Sequence, residues 1–309
     1  MIPTVRWSKI LCVMIAAALL VGSMVICAPA GQVVTAQLKD WAQQAVAQEK
    51  ALQMVTKPRT ITVLYFTNPA QAPSLVPLQK GLALMLTSDL AQTGVLTVIE
   101  RAQLQALVEE MGFGQSGLVD PASAPRVGRL LQTEYLIGGQ IQQDRNGQLE
   151  LSATLLEVGP VRIIAQAKAQ GQMEQIFELE KQLLDTILTS LNLNLSPQQK
   201  NRMSQPLAAQ PSAALDFFQG IDASDKGDYE AADRFYVSAL QTDPQFSMAR
   251  QSHSELTQLK LVKVAAAPLS GAQQRQQLLQ SVRNKTSMTT GLKPSLPDSR
   301  IPAPIGQEY

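Results

Sequence analysis

The run Thr60-Ile61-Thr62-Val63-Leu64-Tyr65-Phe66 is β-branched or aromatic at nearly every position, and it limits the fold more than any other feature of the chain. A strand with one wet face alternates apolar and polar residues. A strand that is apolar almost throughout is buried on both faces, as happens when helices cross over a sheet. The run therefore predicts an α/β domain, and the sequence after it alternates accordingly. Ser74 offers an N-cap for a helix over 75–92, whose Leu78, Leu82, Met85, Leu86 and Leu90 share one stripe. Thr93-Gly94 supplies a glycine stop.

A second strand is predicted over 95–99, helices over 102–111 and 124–132, and a third strand over 135–141. Asp144-Arg145-Asn146-Gly147 has the Asn-Gly signature of a hairpin turn. It leads into an alternating strand over 148–158, and Gly159-Pro160 turns the chain into another over 161–169. Residues 173–195 then read as a long helix. The fold class is α/β over 58–195, with a mixed sheet that joins crossover-linked strands to an antiparallel meander.

The flanks read differently. Arg6 and Lys9 precede an uncharged apolar run over 10–27, and Ala28-Pro29-Ala30 offers an A-x-A cleavage site, so 1–30 is expected to be an export signal. An uncleaved anchor and a lipidated Cys27 are the alternatives. Both cysteines, Cys12 and Cys27, lie in that segment. Cleavage after Ala30 leaves no thiol for a disulfide, a metal or a nucleophile. Residues 32–54, within an arm over 31–57, suit one amphipathic helix ended at Lys57-Pro58-Arg59. Residues 196–212 read as a linker, 213–262 as a small all-α helical unit, and 263–309 as a tail of disordered composition. Charge is balanced, with 26 Lys+Arg against 25 Asp+Glu and no long basic block. Nothing in it suggests nucleic acid as a partner.

The stretch Val98-Ile99-Glu100-Arg101, followed by Leu104, Leu107 and Glu109, carries a resemblance. With Val63-Leu64-Tyr65-Phe66-Thr67-Asn68 and Gly81-Leu82-Ala83 before it, and Ser116-Gly117-Leu118-Val119-Asp120, Gly128-Arg129-Leu130-Leu131 and Tyr135-Leu136-Ile137-Gly138-Gly139 after it, the region 59–171 resembles the CsgG family, named for the secretion channel of curli fibres. Glu100 would sit at a positive helix N-terminus, with Arg101 paired internally to a residue such as Glu109. The sharper alternative is a contact between subunits, because the family's characterised members form rings. A departure also shows: two tight turns join the strands between 135 and 171, leaving no added sequence for a membrane hairpin.

Residues 213–244 resemble a tetratricopeptide repeat. Gly220, Ala223, Gly227-Asp228-Tyr229, Ala232, Tyr236, Ala239-Leu240 and Asp243-Pro244 fall at that family's spacing. Gly220 would let two helices approach while Tyr229 and Tyr236 fill the gap. Only one repeat is evident, and one repeat cannot bury its faces alone. It is expected to pack on the α/β domain or on a neighbouring subunit, with protein binding or a purely structural role as its work.

Other motifs read as ordinary chemistry. Gly112-Phe113-Gly114-Gln115-Ser116-Gly117 spells G-x-G-x-x-G but follows a helix, whereas a dinucleotide loop leaves a strand and opens a helix. His253 is the only histidine and reads as a solvated helix residue. Asp225-Lys226 and Glu178-Leu179-Glu180-Lys181 read as solvated helix charges. No catalytic residue, cofactor site or metal site is identified. The CsgG resemblance implies a non-enzymatic envelope protein with protein partners, homo-oligomer formation and outer-membrane association. It points to a periplasmic scaffold or accessory factor in assembly or transport, with a ring-forming secretion channel as the first alternative and a small-ligand or nucleotide binder as the second.

Overall fold

The computed structural model describes residues 31–51, 57–114, 117 and 119–262. The expected signal at 1–30, the tail at 263–309 and the motif residues Ser116 and Leu118 lie outside these. Five strands form one sheet in the order β2-β1-β3-β4-β5. These are β1 (Lys57–Val63), β2 (Thr97–Val98), β3 (Thr133–Gln143), β4 (Leu149–Glu157) and β5 (Arg162–Gly171). β1 runs parallel to both β2 and β3, with Ile61 opposite Val98 on one side and Tyr135 on the other. β3, β4 and β5 pair antiparallel. The mixed sheet expected from the sequence is therefore present, and residues 95–99 contribute to the same sheet as 60–66.

β1 is an interior strand, flanked by β2 and β3, and Thr60 to Val63 are all buried, as the apolar run predicts, although the strand ends at Val63 and not at Phe66. The strand begins earlier than expected, however. Lys57-Pro58-Arg59, read as a helix end, enters the sheet because the Lys57 N–H donates to the Gln132 carbonyl at 2.9 Å. Pro58 has no N–H to give and Arg59 takes φ +59°. The register consequently slips between Lys57 and Ile61.

The first helix, α1 (Ala36–Ala47), is shorter than the amphipathic segment suggested. Thr35 caps its start and a 3-10 turn at Glu49–Ala51 follows it. Helix α2 (Val76–Gln92) is preceded by a 3-10 turn, Pro73–Leu75, so Ser74 lies inside that turn and caps nothing. Helix α3 (Arg101–Val108) runs into a wider turn at Glu109–Phe113, broken where Gly112 takes φ +89°. The described glycines of this stretch follow a helix and not a strand, and the next helix, α4 (Ala124–Leu130), begins seven residues after Gly117. Helix α5 (Ile176–Ser190) covers β4 and β5 with Ile176, Leu179, Leu183, Leu184 and Ile187. It stops short of 195 because Asn192 adopts φ +50°.

The segment read as a linker contains α6 (Pro197–Met203), closed by a Ser196–Gln199 capping box. It is seated on the molecule: the Gln199 side-chain amide donates to the Thr93 carbonyl, and Met203 is buried. Then come α7 (Pro211–Asp225), α8 (Tyr229–Thr242) and α9 (Ser247–Gln258).

Helix α2 occupies the middle of the molecule. Its one stripe becomes a nearly all-round burial, with Leu78, Leu82 and Leu86 fully buried and Gly81, Leu84 and even Lys80 hidden as well. The sheet takes one side of α2 and α7 takes another. At Gly81 the approach is so close that a Cβ would overlap the Phe218 ring. One continuous apolar cluster consequently joins the sheet, α2 and the C-terminal helices.

Candidate functional site: a buried ionic joint

Two positions in otherwise apolar helices define the joint. Lys80 interrupts the leucines of α2, and Asp225 follows Phe218 and Ile221 on the buried face of α7. Helical spacing of three and four residues turns these two charges toward each other. Lys80 Nζ lies 2.8 Å from Asp225 Oδ2 and 3.0 Å from Asp222 Oδ1. Lys226 reaches the other Asp222 oxygen at 2.5 Å.

Arg101 arrives at the same carboxylate from α3. Its Nη1 donates to both Asp225 oxygens, at 3.0 and 2.8 Å, and to the Tyr65 hydroxyl at 3.1 Å. Its Nε donates to the Gln32 side-chain carbonyl at 2.8 Å, and its Nη2 to the Gln32 backbone carbonyl. The Arg101 and Asp225 side chains are 3% and 1% exposed, so water does little to screen the pair. Lys80 also stands 5.6 Å from the centre of the Tyr65 ring, within cation–π range.

Burial works against the charge on Arg101. The Asp225 carboxylate, with Tyr65 and Tyr236, more than offsets it and holds the guanidinium above its ordinary pKa. Tyr65 and Tyr236 are pushed up by burial, which disfavours their phenolates. Asp222 is also desolvated, but its bond to Lys226 and the charge of Lys80 outweigh this and keep its carboxyl below the usual range. Tyr65 and Tyr236 are therefore neutral hydroxyls near neutral pH. Such a constellation binds and orients segments of chain.

The residues singled out from the sequence divide. Arg101 is at the centre of the joint, though its partner is Asp225 rather than Glu109. Glu109 accepts instead from the Gln105 side-chain amide at 2.6 Å. Glu100 is the N-cap residue of α3, but it is exposed and its side chain makes no capping bond. Gly220 and Tyr236 meet directly, since a Cβ at Gly220 would overlap the tyrosine ring. Tyr236 lies 5.6 Å from Phe217, which stacks edge-on with Phe246 at 5.0 Å. Tyr229 opens α8 and is partly buried. His253 is half-exposed, with Nδ1 2.7 Å from Asp233.

Two groups read as solvated charges are buried. Asp225 is one, and the signal for it was present: the 218, 221, 225 spacing puts it on an apolar face. The other is Glu180, whose side chain is 1% exposed and which burial beside Asp89 pushes up to about 8. Lys181 bonds to Asp89 and lies 3.3 Å from Glu180. Neither cluster has the composition of a metal centre. Among the described residues no group of three or more His, Cys, Asp or Glu is placed to hold an ion.

Residues 35–148 match the family model of CsgG, the curli production assembly/transport component. The match takes in α1 and the Glu100-Arg101 corner. It begins before the region that carried the resemblance in sequence, and it ends at the β3–β4 turn, short of β4, β5 and the C-terminal helices. No curated protein matches the chain. Among solved structures, the LpoB C-terminal domain from Salmonella enterica is 18% identical at a TM-score of 0.31, over 43% of this chain and 98% of its own. Lipoprotein GNA1162 from Neisseria meningitidis is 16% identical at 0.30, over 45% and 100%. A PelC dodecamer from Paraburkholderia phytofirmans is 13% identical at 0.29, over 46% and 93%.

Proposed function

We propose that this chain is a non-enzymatic protein of the Gram-negative envelope. It is exported to the periplasm or the periplasmic face of the outer membrane and acts as a scaffold or accessory factor in assembling or transporting a secreted or surface structure. The match of 35–148 to an assembly/transport family supports the class of function. The closure of the meander carries the choice of an accessory role over a channel.

β3 ends at Gln143 and β4 begins at Leu149, with the Asp144 N–H donating to the Gln148 carbonyl at 2.9 Å. β4 ends at Glu157 and β5 begins at Arg162. A strand that crosses an outer membrane spends about 9–11 residues facing lipid on one side. The strands here span 11, 9 and 10 residues. They spend that length pairing with one another, and Leu149, Leu151 and Leu155 of β4 are fully buried. Helices α7–α9 cover the region whose sequence resembles a tetratricopeptide repeat, and partner binding through their outer faces belongs to the same proposal.

The test is the native mass of the exported protein, made from the full chain in a Gram-negative host and purified with and without detergent. A monomer or small oligomer that needs no detergent is the expected result. A large, discrete, detergent-stable ring overturns the accessory role and restores the channel.

A further inference from the structure

The polar joint has one more component, at the start of the described chain. Glu255 of α9 accepts the Gln32 N–H at 2.7 Å and the Val33 N–H at 3.1 Å. Its carboxylate also lies where a side chain at residue 31 would begin: a Cβ on Gly31 would overlap Oε1. The Gly31 nitrogen hangs on the same α-carbon, so it lies within roughly 5 Å of that oxygen by standard bond lengths. Arg101 holds the next residue from the other side through both the carbonyl and the side chain of Gln32.

Gly31 and Glu255 line a cavity of about 400 Å³, together with Gln32, Met248, Gln251 and Ser252. Ser252 is 2% exposed, and its hydroxyl has no hydrogen-bond partner among the described residues. The Glu255 carboxylate lies beside Gly31 and the unpaired Ser252 hydroxyl belongs to a residue of the same cavity wall, so the cavity holds more acceptor capacity than one amide N–H can use. An ammonium, with three donors, would use it.

We infer that Glu255 and Ser252 form a receptor for the α-ammonium of Gly31, created when the leader is cut after Ala30, so that maturation locks the new amino terminus onto α9. The cut breaks the Ala30–Gly31 C–N bond, and a leader peptidase using water would supply it. The hydroxyl of water goes to the Ala30 carbonyl carbon and its hydrogen to the Gly31 nitrogen. The proton of the resulting acid passes to the amine, giving a carboxylate and an ammonium. An α-amine of ordinary pKa is largely protonated at neutral pH, so the new end is a cation beside Glu255. Arg101 on Gln32 and Arg250 on the cavity wall are the cations facing it, and Glu255 is the carboxylate that offsets them. The inference rests on the export part of the proposed function, through cleavage after Ala30; the native mass tests the accessory role, and the amino-terminal measurements below test the receptor.

The experiment starts with the exported protein made from the full precursor. N-terminal sequencing should return Gly31, and any other start overturns the inference. Thermal unfolding is then compared for the wild type and a precursor with one serine inserted between Ala30 and Gly31, each with Glu255 or Glu255→Gln. The insertion should lower Tm by roughly 2–6 °C with Glu255 and by much less with Glu255→Gln. An equal loss in both backgrounds, or none in either, overturns the receptor. A second measurement needs no variant: competitive acetylation at pH 7, read by mass spectrometry of the N-terminal peptide. The folded wild-type α-amine should react about tenfold more slowly than that of the unfolded chain. Equal reactivity overturns the receptor even if the Glu255→Gln protein does not fold.

Discussion

Arg101 donates to both oxygens of Asp225 across the boundary between the sheet and the C-terminal helices, at 3.0 and 2.8 Å from a single nitrogen. Residues 124 positions apart in sequence thereby fix the placement of α7 against α3. Lys80 shares the same carboxylate from α2, so one acidic side chain ties three helices together. The pair is expensive to desolvate and more expensive to break.

The variant Asp225→Ala should be severely destabilised, because it leaves Arg101 and Lys80 buried without that counter-charge. Loss of one partner of a buried pair costs about 3–5 kcal/mol. Urea unfolding should show that loss in the Asp225→Ala protein. The combination Arg101→Met, Lys80→Met and Asp225→Leu, apolar throughout, should recover most of it. If the triple variant is no better than Asp225→Ala, the charges are not what holds the joint.

The exposed pair at the other end of the arm provides a contrast. Arg126 donates to Glu49 through Nε at 2.7 Å and Nη2 at 2.6 Å. Its side chain is 41% exposed and that of Glu49 is 32% exposed. Water and salt weaken such a pair, and a double-mutant cycle of Glu49→Gln and Arg126→Gln should give at most about 1 kcal/mol, less at high salt. A coupling as large as that of Asp225 would show that the arm is anchored through α4, not through Gln32 and Glu255.

Close helix approach at Gly81 gives a steric prediction. Gly81→Ala drives a methyl group into the Phe218 ring. Forcing one extra carbon into a packed interior costs about 1–3 kcal/mol, which thermal unfolding should register. Shrinking the ring side, as in Gly81→Ala with Phe218→Leu, should cost less than the two single changes added together. Strict additivity would mean that α2 and α7 separate to absorb the methyl group.

The legible part of this molecule was whatever a local pattern encodes. The apolar run of β1, the Asn-Gly turn before β4 and the stripe of α5 each follow from neighbouring residues, and each element overlaps the stretch its pattern marks. Element ends were less legible. Asn192 and Arg59 adopt positive φ, and nothing in their neighbours required it. The joint itself was half legible. Arg101 was conspicuous at a strand-to-helix corner, but its partner depended on how α7 docks, which no short-range spacing encodes. Lys80 among leucines, and Asp225 after Phe218 and Ile221, were the available signs that two charges go inside together.

Glu180 supplies a pH dependence whose sign follows from its surroundings. Burial, then the neighbouring charge of Asp89, raises its carboxyl from an ordinary 4.5 to about 8, and Lys181 offsets only part of this. Asp89 is itself raised, chiefly by burial, although the bond from Lys181 pulls it down. The folded chain therefore holds a proton on Glu180 that the unfolded chain releases above pH 4.5. A raised acid contributes stability that is fully present below its unfolded pKa and is lost as pH climbs through the folded one. Stability should fall between about pH 4.5 and 8 through this group, and α5 should loosen from α2 at the alkaline end. Glu180→Gln keeps the neutral shape and removes the titration. It should match the wild type near pH 4 and exceed it at pH 9, which parallel urea titrations at the two pH values would show. An unchanged pH profile in Glu180→Gln would mean that Lys181 holds both carboxylates ionised in the folded protein.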